Sequence, residues 1–207
     1  YAQIGGRSPL LDITTQQATT LEKKLNKKGG QFRVYVGMRH WSPFIKDTIP
    51  QILADRPEHL ICISMAPQYS RMSVGAYIEA VKKALDSFGG SPIPVAYVLH
   101  WHDQPLLLDA FAKKVREALM LYSEATRREV FVLFTAHSLP ESILAENDSY
   151  PVHLKETVDG VVKRLGALLQ PTQWAFSYQS QGMSGGVWLG PTVEAALDKI
   201  APDRKQV

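Results

Sequence analysis

His137 stands where chemistry is expected. It follows the apolar run Val130-Phe131-Val132-Leu133-Phe134 and the pair Thr135-Ala136, and it precedes Ser138-Leu139-Pro140. An imidazole ligates divalent metals and titrates near neutral pH, so this side chain can serve as ligand or proton acceptor. In open parallel sheets, ligands gather outside the carboxyl ends of the strands, and His137 is expected just past such an end. Other polar and aromatic groups follow the other apolar runs: Gly37-Met38-Arg39-His40-Trp41, Ala66-Pro67-Gln68-Tyr69-Ser70, His100-Trp101-His102-Asp103 and Gln179-Ser180. Gathered on one rim, they would line an aromatic, hydrogen-bonding cleft suited to a large flat ligand with polar edges. The glycine-rich loop at 182–191 carries Trp188, which either lies over a ring system or caps the core. His100-x-His102 puts two imidazoles on one side of extended backbone, where they can share an ion. The other reading is a loop whose Asp103 caps the next helix.

The elements that must position these residues alternate. Apolar, β-prone runs occupy 32–36, 60–64, 94–98, 130–134 and 174–178, and helical periodicity occupies the intervals. The spacing predicts helices over 14–27 (opened by a Thr cap), 43–55 (kinked or interrupted by Pro50), 73–87, 103–122, 151–169 and 191–200 (with Pro191 in its first turn). Leu107, Phe111, Val115, Ala118 and Leu119 form one apolar stripe, and Leu154, Val158, Val161, Val162 and Leu165 another. Alternation of this kind implies a parallel sheet with helices on its faces, and the helix between the third and fourth runs is expected to bridge two lobes.

Composition narrows the function. The 207 residues carry a net charge of +3, with 45% hydrophobic and 21% charged residues. The basic residues are scattered, which argues against a nucleic-acid partner. GxGxxG and the phosphate-binding Walker loop are missing from the sequence, so no nucleotide cofactor is expected. No apolar stretch approaches the roughly 20 residues that span a bilayer, which leaves only peripheral membrane contact. The single cysteine, Cys62, lies in an apolar run and reads as a buried, inert thiol. With no signal-peptide pattern at the start, a soluble cytoplasmic protein is expected.

Thr135-Ala136-His137-Ser138-Leu139-Pro140, Asp148-Ser149-Tyr150-Pro151, Gly37-Met38-Arg39-His40, Ala66-Pro67-Gln68-Tyr69-Ser70, Gln179-Ser180 and Trp188-Leu189-Gly190-Pro191 together resemble a ferrochelatase. The Ile4-Gly5-Gly6-Arg7-Ser8-Pro9 stretch is similar to a loop of that family, so the resemblance runs over essentially the whole chain. Its finer form looks closer to the bacterial enzymes acting on coproporphyrin. The resemblance implies an α/β fold with two Rossmann-like, chelatase-type lobes, parallel sheets flanked by helices, and a porphyrin cleft between the lobes. The lobes would span 1–123 and 124–207, the first without its opening strand and the second without its end. It implies a lyase that inserts Fe²⁺, its substrate, into protoporphyrin IX or coproporphyrin III in haem biosynthesis. His137 matches the family's metal-site histidine. Tyr1, Ser8, Gln17, Arg39, His40, Tyr69, Tyr77, Ser180 and Trp188 match positions lining or bordering the porphyrin cleft, Tyr1 beside a propionate site.

The resemblance also implies a strand before Tyr1 and, after Val207, a segment whose glutamate faces the metal histidine. Cysteines for an iron–sulfur cluster would fall there too, so that cluster and the oligomeric state are left open. The chain alone is therefore expected to be marginally stable or to associate, and not to metallate porphyrin. Two other readings compete: a catalytically incomplete tetrapyrrole-binding protein or fragment, and a metal-dependent hydrolase built on His100, His102 and His137.

Overall fold

The computed structural model describes residues 3, 5–6, 8–27, 29–182 and 186–200. Helices alternate with short parallel strands, as the sequence predicts, and the class is mixed α/β. Contacts divide the chain into two compact units. One comprises residues up to Ile63 with Gly75–Val98; the other comprises Ser64–Val74 with residues from Leu99 onward.

In the first unit, α1 (Leu10–Asn26) buries none of its side chains. It starts earlier than the predicted Thr14 cap, because the Thr14 hydroxyl donates to the Leu10 carbonyl inside the helix at 2.8 Å. α2 (Ile45–Ala54) runs through Pro50 without interruption. An interior proline costs about 3 kcal/mol, and burial of Ile45, Ile49 and Ile52 along one face offsets that loss. β1 (Leu60–Ile63) pairs in parallel with β2 (Val95–Val98), and α3 (Ala76–Asp86), entered through a π-turn at Arg71–Gly75, connects them. The core of this unit is Ile45, Ile49, Ile52, Ala84 and Leu85, with Leu60, Tyr77 and Val95 packed against it.

The predicted strand at 32–36 does not form. Its backbone groups are met by side chains instead of a ladder: Asn26 bonds both the amide and carbonyl of Phe32, Glu22 accepts from the Val34 amide at 2.7 Å, and Thr48 donates to the Val36 carbonyl. Cys62 is half-buried, not fully buried as its apolar surroundings predict; it shares the inner face of β1 with Leu60, while Ile61 and Ile63 on the other face are about half exposed.

The second unit holds α4 (Pro105–Leu119), the one-turn α5 (Glu124–Arg127), β3 (Val132–His137), α6 (Tyr150–Leu165), β4 (Trp174–Gln179) and α7 (Val193–Ile200). β3 and β4 are parallel, from Val132 opposite Trp174 to His137 opposite Gln179. α4 buries Leu108, Ala112 and Leu119 and packs Val115 against the same core, so Val115 and Leu119 of the predicted stripe hold, while nearer the helix start the buried face is displaced by one residue and Phe111 is exposed. Gln104, not Asp103, caps α4, accepting from the Leu106 amide at 2.8 Å. α6 keeps its predicted face, with Leu154, Val158, Val161 and Leu165 buried. Gly160 on that helix makes room for Leu108, since a Cβ there would lie 2.7 Å from the leucine methyl. Thr192, not Pro191, opens α7 by accepting from the Ala195 amide. Among the described residues, no helix is long and apolar enough to cross a membrane.

Candidate active site

His137 closes β3 and does not follow it. The strand continues through Thr135 and Ala136, because their ladder partners Ser177 and Tyr178 extend β4 equally far. The His137 side chain is exposed, and the chain around it is pinned. Its carbonyl accepts from the Tyr150 hydroxyl at 2.9 Å. Burial, with Tyr178 nearby, pushes the Tyr150 phenol up to about 12, so it stays a proton donor across the physiological range. The next residue, Ser138, is fully buried; its amide donates to the Gln179 carbonyl at 2.7 Å and its hydroxyl to the Leu189 carbonyl at 2.9 Å. Pro140 and Trp188 then form an antiparallel bridge, with the Leu189 amide on the Leu139 carbonyl and the Glu141 amide on the Val187 carbonyl. An exposed imidazole thus sits on a backbone fixed by strand pairing, a phenol and a buried serine.

The same unit holds Ser180, which follows the His137–Gln179 pair in a left-handed conformation (φ 60°) and is exposed. Trp188 is half-buried, and a Cβ at Gly182 would lie 2.5 Å from its ring, so the glycine is what lets the indole lie against the loop. Tyr69 belongs to this unit as well. The Gln68–Arg71 segment is tied to the start of α6: Gln68 donates to the Thr157 hydroxyl, the Tyr69 amide to His153 Nδ1 at 3.1 Å, and Asp148 accepts from the Ser70 hydroxyl and the Arg71 amide. The other Asp148 oxygen accepts from the Tyr150 amide, so one carboxylate secures both the Tyr69 segment and the helix that carries Tyr150.

In the first unit the structure brings Arg39 and Tyr77 together, the guanidinium lying over the phenol ring at 5.3 Å from its centroid. Ser8 and Gln17 are exposed, Ser8 accepting from the Leu10 amide and Gln17 on α1, and His40 is exposed beside Arg39. Among the described residues no side-chain hydrogen bond, ion pair or ring contact joins these three to Arg39 or Tyr77. Tyr1 lies outside the described residues. The open groove along α1, lined by Leu11, Thr15, Thr19 and Pro43, contains none of the expected site residues.

Two roles escaped the sequence. Asp148 is part of a recognisable motif, yet its function as a tie between Ser70, Arg71 and Tyr150 needs the fold. His153 and Glu156 stand three residues apart on α6, and the helix's apolar stripe masks them. The structure gathers His153 with His100 and His102. This cluster excludes His137, so the hydrolase constellation of His100, His102 and His137 does not assemble.

Comparison with known proteins gives one family. A family model described as Ferrochelatase matches residues 1–207. A ferrochelatase of Deinococcus radiodurans is 40% identical over 197 residues, covering 95% of the chain and 61% of that protein. A ferrochelatase of Herpetosiphon aurantiacus is 36% identical over all 207 residues, covering 66% of its own length. A coproporphyrin III ferrochelatase of Geobacillus sp. strain WCH70 is 36% identical over 197 residues, covering 61% of its length. The chain thus spans about three fifths to two thirds of the curated relatives it matches.

Proposed function

Because the chain belongs to the ferrochelatase family, we propose that the protein inserts Fe²⁺ into a porphyrin in haem biosynthesis, in the cytoplasm. The reaction replaces two pyrrole N–H protons with one ferrous ion, so the protein must bring in a partly dehydrated cation and accept protons. His137 is the residue assigned to that work. Imidazole suits Fe²⁺ as a ligand, and its ordinary pKa near 6.5 equally suits it to take a proton. The observation that carries the reading is the combination of an exposed imidazole and a pinned backbone, which holds the ring's origin fixed while its tip stays accessible.

The remaining residues are assigned by the family resemblance, and their roles by side-chain chemistry. Arg39 and Ser8 pair with propionates, Arg39 through a planar fork matched to carboxylate. Tyr69, Tyr77 and Trp188 offer ring faces to the macrocycle, and Gln17, His40 and Ser180 offer polar contacts at its border; Tyr1 is assigned to a propionate. Coproporphyrin III, with four propionates, is the preferred substrate in this reading, supported by the likeness to relatives named for it.

The test is anaerobic incubation of the full-length gene product that carries these residues with Fe²⁺ and either coproporphyrin III or protoporphyrin IX. Free-porphyrin fluorescence should disappear as metal enters, faster with coproporphyrin III. Tight porphyrin binding with fluorescence undiminished in Fe²⁺ would refute the enzymatic reading and leave a tetrapyrrole-binding protein.

A further inference from the structure

His100 and His102, on the loop after β2, meet His153 on α6. One ring nitrogen from each of the three lies within 4.8 Å of the others. The centroids are 5.1 Å apart for His100–His102, 4.7 Å for His100–His153 and 3.9 Å for His102–His153.

His102 is the informative member. It is 3% exposed, and its Nε2 lies 2.6 Å from a Glu156 carboxylate oxygen. The carboxylate draws the ring proton to Nε2, which leaves Nδ1 with a bare lone pair. That atom is buried and has no hydrogen-bond partner among the described residues. Buried polar atoms are rarely left so, and a carboxylate orienting an imidazole by its far nitrogen is the usual outer support of a metal-binding histidine. His153 accepts the Tyr69 N–H on Nδ1 at 3.1 Å, so that nitrogen too carries a lone pair.

We propose that His100, His102 and His153 form a second cation site, separate from His137, for a borderline divalent ion of the Zn²⁺ class, and that filling it releases the backbone amide of Tyr69. The ion class follows from the donors: three imidazoles favour zinc, nickel, cobalt or copper over calcium or magnesium. The release follows from geometry and valence. His102 and His153 are stacked with planes only 12° apart, and two nearly parallel rings cannot aim their lone pairs at one point. One ring must turn. His102 is held by burial and by Glu156, and His100 is exposed and adapts by rotamer, so His153 turns. A neutral imidazole has one lone pair, and in His153 the Tyr69 N–H now occupies it. Coordination through either nitrogen takes that acceptor away, because the other nitrogen then carries the proton. Metal occupancy and the His153–Tyr69 bond therefore exclude each other. The site itself stands without the reading of Tyr69 as a porphyrin contact; only its effect on porphyrin rests on that reading.

The experiment uses the untagged chain with His137→Ala, which removes the competing imidazole, and Co²⁺ as probe. Titration should give one equivalent of bound Co²⁺ with the visible absorption of a nitrogen-rich site. His100→Asn, at an exposed position that does not endanger folding, should weaken binding at least about tenfold, and Glu156→Gln about 10- to 100-fold. The ¹⁵N-labelled chain, with diamagnetic Zn²⁺ in place of Co²⁺, should show the Tyr69 amide shifting and exchanging faster as the site fills. Unchanged Co²⁺ affinity in both His100→Asn and Glu156→Gln overturns the site. A filled site with the Tyr69 amide unmoved overturns the release. Porphyrin affinity that ignores Co²⁺ while the Tyr69 amide responds would leave the site intact and count against Tyr69 as a porphyrin contact.

Discussion

Replacing His137 with Ala in the full-length gene product should lower Fe²⁺ insertion at least about a hundredfold, the ordinary size of a ligand or acid–base contribution. Porphyrin affinity should change little, since the residues assigned to the macrocycle lie elsewhere in the chain. Cys62 gives a second test at this scale. Burial pushes its thiol up to about 11, which leaves at least about a hundredfold fewer thiolates at pH 8 than an ordinary cysteine has. Iodoacetamide at pH 8 should label it slowly in the native chain and rapidly in urea; equal rates would mean that burial does not govern the thiol. Single residues were legible in the sequence where one feature marked them. His137 stood out by the apolar run before it, and Arg39 by its place after the first run. His153 carried no such mark. Its partners His100 and His102 lie about fifty positions away, and only the docking of α6 reveals them. Glu156 was hidden in the same way, as one more polar residue on a helix face.

Elements were legible where burial repeats with a regular period, and illegible where pairing decides. α6 followed its apolar stripe because one face is buried along its length, Val161 and Leu165 against Leu108 and Ala112 of α4 and Leu154 against Ile143, Tyr178 and Leu189. The run at 32–36 has strand composition, but it forms no ladder and lends its backbone to Asn26, Glu22 and Thr48. β3 extended to His137 because β4 supplies partners to the end, which no local pattern announces. The tie made by Asp148 belongs to this scale, since it joins the segment after β1 to the head of α6. Asp148→Ala removes one acceptor from three donors and should cost about 2 kcal/mol of stability, read as a lower urea midpoint. Asp148→Asn keeps one acceptor oxygen and should recover part of the loss.

Each parallel sheet has two strands among the described residues, so every strand offers an edge, and Ile61 and Ile63 add an apolar face about half exposed. Open edges and uncovered apolar surface both favour association. The 207-residue chain should elute from size exclusion larger than a monomer at tens of micromolar, and Ile61→Lys with Ile63→Lys should restore the monomer; a monomer without these changes would show that the exposed face is tolerated. The parallel register has a further consequence, in time. Leu60 pairs with Val95 and Val132 with Trp174, so each ladder closes only after an entire helix has been spanned. Chain entropy must be lost before such distant contacts return anything, which makes this topology slow to fold. Helix α6, held by local hydrogen bonds, can form first, and β4 must then find β3. In pulse-labelled hydrogen exchange during refolding, amides of α6 should gain protection before those of β3 and β4, and His137 should be among the last residues to reach its native place.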